Sequence, residues 1–361
     1  MQLREGTEDS GASAVSRRTL LRTGTGMAAA AVSGGLSVFA AQPASAVVGT
    51  SQRFDLGGNG GKFFVNIPLH QPYWAMQSFA FDHVYGHIYY VQTKVGSENG
   101  DLWVTRTDMT GQVLGAMAIH GFDHGSNIAI EPDTYGSPYM WVPGDWRDLH
   151  PEDPDSKPNS HTIARFKYAD GGDLTYSNSA VRKFPIHLSD FYDCPRPAID
   201  PYNNRILLRY MESATRWRLA LFDLPSVLSN GFVDDKPTRL AARALPSNSE
   251  IGLTAEDAFQ GVTAYGQYAY LLYGGHPEKT TDPAVPSYLV TLDMNAVGTS
   301  VKEVFQTHAG DTLLPGREPQ GIAVYRSSVG PQLAFGFSSK YDSENPAQFR
   351  STVFYKTDLK T

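Results

Sequence analysis

Gln260-Gly-Val-Thr263-Ala-Tyr265 and Gln320-Gly-Ile-Ala323-Val-Tyr325 are two copies of one short phrase, and three earlier stretches repeat it. These are Gln77-Ser-Phe-Ala80-Phe-Asp82, Ser126-Asn-Ile-Ala129-Ile-Glu131 and Pro195-Arg-Pro-Ala198-Ile-Asp200. Each begins with a small or polar residue and places Ala or Thr between apolar neighbours. The Ala/Thr positions are spaced by 49, 69, 65 and 60 residues, which marks a repeat architecture.

Working outward, each copy is followed by a short turn, such as Asp200-Pro-Tyr-Asn-Asn-Arg205, and then by a run of aromatic and branched residues that reads as a second strand. Those second strands are His87–Gln92, Tyr139–Val142, Arg205–Tyr210, Tyr268–Tyr273 and Gln332–Phe337. Third strands follow at Asp101–Thr107, His161–Tyr168, Trp217–Leu224, Ser287–Met294 and Arg350–Lys356. Weaker fourth strands stand at Val113–Ile119, Ala180–Ile186, Thr238–Leu245 and Lys302–Thr307. The fifth unit has none after it, while Lys62–Pro68 precedes the first unit and belongs to no other.

This arithmetic predicts an all-β chain: a five-bladed β-propeller of four-stranded blades over residues 62–361, closed by the strand at about 62–68. A β-sandwich of similar strand content predicts neither five units nor a spare N-terminal strand. Small residues at Ala80, Ala129, Ala198, Thr263 and Ala323 suit innermost strands, where blades crowd toward the axis.

Residues 1–46 read as a twin-arginine signal peptide, with Arg17-Arg18, a weakly apolar Ala/Gly/Val run and Ala44-Ser-Ala46 before the cleavage point. A membrane anchor is the alternative, but the run is rich in Gly, Ser and Ala, and no other stretch approaches the ~20 apolar residues of a span. The expected product is a secreted or wall-associated chain of roughly 315 residues, large enough to bury most of its apolar surface. Residues 47–61 read as a flexible lead-in. Cys194 is the only cysteine, so no internal disulfide exists, and it reads as an inert core residue. A net charge of −7 without any Lys/Arg-rich run argues against nucleic acid as a partner.

Up-and-down connectivity puts the loops after second strands and before first strands on one face. The long loops, 144–160, 212–216, 274–286 and 338–348, fall there, so the functional face is expected there too. Converging on the channel mouth would be Gln77, His120, His124, Asn127, Arg196, Gln260, Arg317 and Gln320. Amides can donate and accept to sugar hydroxyls, and Arg196 can make a two-point contact with a carboxylate or phosphate. Each also has a structural reading: the glutamines as channel lining, His124 as a loop tie, Arg196 as an ion pair. His120 and His124 have a metal-pair spacing only on a helix, and here they occupy a loop, so no metal or other cofactor is expected. The acidic, Pro-rich 145–160 segment reads as a solvated insertion, with a lid or a calcium site as alternatives.

Met76-Gln-Ser-Phe-Ala-Phe-Asp82, Gly100-Asp-Leu-Trp-Val-Thr-Arg106 and His120-Gly-Phe-Asp-His-Gly-Ser126 resemble the propeller domain shared by the teichoic-acid-associated protein TagC and certain phage receptor-binding proteins. The likeness runs over nearly all the mature chain. It implies a five-bladed propeller and, from the phage members, recognition of wall teichoic acid, an anionic polyol-phosphate polymer. It supplies no secure catalytic motif.

Two functional classes stay open. In the first, the chain is a monomeric module that binds an anionic or polyhydroxylated glycan at the mouth. In the second, it is a uronic-acid polysaccharide lyase with His124, Tyr192 or Tyr210 as acid and base and Arg196 neutralising the carboxylate. No G-x-S-x-G elbow supports a serine hydrolase. A shared fold does not choose between the two classes.

Overall fold

A computed structural model describes residues 48–94, 100–148, 159–235, 238–275, 286–296, 300–314, 316–340 and 348–361. The signal segment, residues 149–158 of the acidic insertion, and most of loops 274–286 and 338–348 lie outside them.

The chain is a five-bladed β-propeller. Blade 1 consists of Trp74–Asp82, His87–Lys94, Leu102–Asp108 and Val113–His120; blade 2 of Ala129–Glu131, Tyr139–Gly144, Thr162–Lys167 and Arg182–His187. Asp193–Asp200, Arg205–Ser213, Arg216–Asp223 and Arg239–Ala244 make blade 3, and Ala258–Tyr265, Tyr268–Gly274, Ser287–Asp293 and Val301–Thr307 make blade 4. Blade 5 takes Glu318–Ser327, Gly330–Lys340 and Phe349–Lys356, and its outer strand is Gly60–Ile67 from the other end of the sequence. That strand pairs antiparallel with the last blade, Phe64 opposite Val353 and Ile67 opposite Ser351, which shuts the ring.

Two blades exceed four strands. Asp173–Thr175 adds a parallel fifth strand to blade 1, and Phe232–Val233 does the same for blade 2. Both come from the following blade's connections and cover an edge that would otherwise offer unpaired backbone groups.

The buried side chains form five clusters, one at each blade-to-blade junction, including the junction of blade 5 with blade 1. This explains the composition of the second strands. They are covered on both faces, so apolar residues run on rather than alternate, as in Ile206-Leu207-Leu208, where Ile206 and Leu208 meet blade 2 and Leu207 meets blade 4.

The lead-in at 48–61 is paired and packed against the propeller over much of its length. Arg53–Phe54 pairs with Leu359–Lys360, and Phe54 and Leu56 are fully buried in the blade 4–5 cluster. Lys360 bonds Asp55 and Glu303 at 2.7 and 2.9 Å. Each large apolar side chain contributes about 1.5–3 kcal/mol when buried, against about 0–1 for a partly exposed ion pair, so the apolar anchors hold this clasp. The sequence conceals it because Gly57-Gly58-Asn59-Gly60-Gly61 follows directly and reads as linker.

Candidate functional site

The five repeat residues, Ala80, Ala129, Ala198, Thr263 and Ala323, all line one axial cavity together with Ile128, Ile130, Ile199 and Ile322. Its volume is about 20 Å³, room for about one water. At this level the axis has no room for a ligand larger than water.

At the mouth, the innermost strands share an irregularity. The register against the second strand slips between Met76 and Ser78 in blade 1, Asp193 and Arg196 in blade 3, Phe259 and Gly261 in blade 4, and Pro319 and Ile322 in blade 5. A bulge re-aims the side chain it carries. Here the slips fall at Gln77, Cys194-Pro195, Gln260 and Gln320-Gly321. The third of these, at Gln260, stands beside Gly261, whose backbone presses on that of Gly321. Gly321 (φ +83°) presses in turn on Ser78, and a Cβ there would stand 2.9 Å from the Ser78 Cα. Glycine is needed at 321 both for the left-handed backbone and for this approach.

Gln77, Gln260 and Gln320 stand at the bulges of blades 1, 4 and 5. None of their side-chain amides has a hydrogen-bond partner among the described residues; Gln260 is half-buried, whereas Gln77 and Gln320 are 8% and 4% exposed, with no amide atom fully closed off. Asn127 is also at the mouth but is committed to the scaffold. Its Nδ2 donates to the Pro197 carbonyl of blade 3, and its Oδ1 accepts from the Val262 N–H of blade 4 at 2.9 Å.

Other expected site residues are placed differently. The Arg196 guanidinium is buried against fully buried Asp123. His120 ends the fourth strand of blade 1, away from the axis, with Nδ1 3.0 Å from Asp101 and Nε2 3.2 Å from Asp173. Arg317 is 1% exposed and turned into the blade 4–5 junction, where it pairs with Asp311, donates to the Ala309 carbonyl and lies 4.6 Å over the Phe337 ring. Tyr210 is fully buried; its hydroxyl donates to Asp190 at 2.7 Å and accepts from Arg239 at 3.0 Å. Burial pushes its pKa far above the ordinary tyrosine range. His124 and Tyr192 are exposed. Of the expected acid–base set, Arg196 is neutralised by a carboxylate and Tyr210 is locked in a blade, while His124 and Tyr192 stay at the surface.

Cys194 is buried at the blade 3 bulge with φ +59°, and burial raises its thiol pKa, which leaves it an unreactive thiol. Among the described residues, no group of His, Cys, Asp or Glu is arranged to hold a metal ion.

Sequence reasoning missed Arg209. It stands directly opposite Arg196 on the second strand of blade 3 and is 7% exposed. Its guanidinium carbon lies 3.5 Å from the centre of the Trp217 ring and 3.7 Å from that of Phe259, which opens the first strand of blade 4. No ion pair or hydrogen bond reaches it among the described residues, and its Nε is buried without an acceptor. Burial pushes its pKa down to about 10, so it stays charged at neutral pH. The available signal was its position: in a strand covered on both faces, 209 shares the face of core residue Leu207, which meets blade 4.

Similar architecture occurs in the tail fibre of Staphylococcus aureus phage P68, at 14% identity and TM-score 0.59, covering 85% of this chain and 52% of that one. This chain thus spans about half the length of that fibre. Two glycoside hydrolases align less closely: an exo-β-1,3-galactanase from Clostridium thermocellum (11% identity, TM-score 0.42, 87% and 63% of the two chains) and an α-L-arabinofuranosidase from Podospora anserina (9%, 0.44, 82% and 96%). At these identities the likeness concerns fold alone. Among curated proteins, none matches the sequence. The family described as the phage 5-bladed beta propeller receptor binding platform domain matches residues 75–329, the five repeats and the mouth they build, and the chain belongs to that family.

Proposed function

We propose that the mature protein binds an anionic, polyhydroxylated glycan of the cell envelope, of the teichoic-acid kind, on the mouth of the propeller. The observation that carries this reading is the ring of Gln77, Gln260 and Gln320, whose amides stand at bulges of the propeller scaffold without a hydrogen-bond partner among the described residues. An amide pair of donors and an acceptor suits a surface of hydroxyls. Membership of a receptor-binding platform family supports a binding role. The N-terminal Arg17-Arg18 segment supports export by the twin-arginine route, with the ligand met outside the cytoplasm. The lyase reading keeps only exposed His124 and Tyr192 and loses its charge neutraliser, so binding stands first.

The test is retention of purified mature protein on immobilised wall teichoic acid, with ultraviolet absorbance followed in parallel on uronic-acid polymers. Retention weakened by Gln260→Ala, with no new absorbance from an unsaturated uronate, supports the reading. Absence of retention overturns it, and product formation reassigns the protein as a lyase.

A further inference from the structure

Arg209 raises a question of physical cost. Taking a guanidinium out of water costs several kcal/mol per ion unless charge and hydrogen bonds replace the lost solvation. The other deeply buried arginines of the mouth and its neighbouring junction each have a carboxylate: Arg196 has Asp123, and Arg317 has Asp311 and the Ala309 carbonyl, although its Nε, like that of Arg209, has no acceptor among the described residues. Arg209 has two aromatic faces only, and its near neighbours include a second cation, Arg196, which disfavours its charge further.

The geometry restricts what could complete it. Rings cover both faces of the guanidinium plane at 3.5 and 3.7 Å, so only its rim of N–H donors remains open to a partner. Nε is buried, whereas the terminal nitrogens are not among the fully buried unpartnered atoms. Trp217 and Phe259 are themselves half-buried, Gln260 adjoins Phe259, and Tyr273 closes the far side with its ring 6.0 Å from that of Phe259. The group that fits the open rim is planar or tetrahedral, negative and offers two oxygens: an oxyanion.

We infer that Arg209, clamped between Trp217 and Phe259, is the anion-receiving subsite of the mouth, taking a phosphodiester or carboxylate oxyanion of the bound polymer. This deepens the glycan reading and rests on it for the polymer, but the subsite is testable by itself. Both oxyanion sources share one chemistry and separate by experiment.

The decisive measurement uses the mature chain with glycerol 3-phosphate, galacturonate and a neutral oligosaccharide as probes, reading the fluorescence change that disappears in Trp217→Phe. A saturable change with one anion, absent with the neutral sugar and in Arg209→Gln, is the expected result, and the responding anion tells phosphate from carboxylate. No response to either anion overturns the inference, even where the protein is retained on the polymer through its amides. On the polymer itself, Arg209→Gln should weaken binding at least tenfold without lowering Tm, and Arg209→Lys should recover little because it lacks the planar donor edge. An Arg209→Gln variant that loses several degrees of Tm yet binds normally makes Arg209 a scaffold residue and overturns the inference. If wild type ignores the polymer but answers the small anions through Trp217, the glycan reading falls and the anion subsite stands.

Discussion

Arg196 and Arg209 stand opposite one another on the two inner strands of blade 3, and their surroundings could hardly differ more. Arg196 is closed by the protein itself, with Asp123 on the guanidinium and the Ser160 hydroxyl 3.4 Å away. Arg209 has aromatic faces and no acceptor among the described residues. A buried charge that the fold completes is scaffold. One that the fold leaves incomplete points to something outside the chain. The same division runs around the ring of amides, where Asn127 ties three blades together and the side chains of Gln77, Gln260 and Gln320 have no hydrogen-bond partner among the described residues.

The contrast breaks most sharply on removal of one charge. Arg196→Gln strands Asp123, which is fully buried, and should cost about 3–5 kcal/mol, read as a fall in denaturant midpoint. Arg209→Gln strands no carboxylate; it gives up two cation–π contacts, worth about 0.5–2 kcal/mol each, but also relieves a buried unpaired charge that costs several kcal/mol, so no net loss is expected. Equal losses in the two variants would erase the distinction. Replacing the whole pair, Asp123→Leu with Arg196→Met, should return most of the stability lost in Arg196→Gln, because matched apolar groups need no partners.

Smaller changes sharpen the difference between ring scaffold and ring surface. Gly321→Ala forces a side chain into left-handed backbone and against Ser78, at a cost of about 1–3 kcal/mol, and it should loosen the approach of blades 4, 5 and 1. Gln320→Ala, one residue earlier, should leave the unfolding curve within about 0.5 kcal/mol, since its amide has no hydrogen-bond partner among the described residues. Phe259→Leu removes one face of the Arg209 clamp. A single cation–π contact is worth about 0.5–2 kcal/mol, so a stability loss in that range is expected, with a smaller drop in anion affinity than for Arg209→Gln.

Most of the architecture was legible because a propeller writes itself into the sequence as a period. Five copies of a small-residue phrase, and one strand at Gly60–Ile67 with no unit of its own, determine blade number and ring closure. The site was less legible for a physical reason. Entry into an innermost strand places a residue near the mouth, but a long side chain can turn away, as Arg317 turns into a junction and pairs with Asp311. His120 misled because it ends an outer strand rather than beginning an inner one. Arg209 was hidden because its meaning lies in what does not touch it, and the partners that clamp it are eight residues on, in blade 3, and fifty on, in blade 4. Residues 48–61 were misread since two apolar anchors, Phe54 and Leu56, sit beside a glycine-rich stretch.

The completed side of the mouth carries one further pair, and its weakness is pH. His161 Nδ1 lies 2.8 Å from Asp193, and its Nε2 lies 3.1 Å from the Arg147 carbonyl. A carbonyl can only accept, as can a carboxylate, so both contacts are made best by a ring carrying two protons. Burial works against that charge, but the bond to Asp193, the bond to Arg147 and the Asp193 charge outweigh it, and the histidine pKa is raised above 6.5. With the folded value above the unfolded one, the stabilisation is fully present below pH 6.5 and disappears as pH climbs through the raised value. The Tm advantage of wild type over His161→Gln should therefore be greatest near pH 5.5 and shrink toward pH 9. An advantage that holds constant or grows over that range would mean a neutral ring. One partner of the closed side would then be an ordinary hydrogen bond rather than a charge the fold completes.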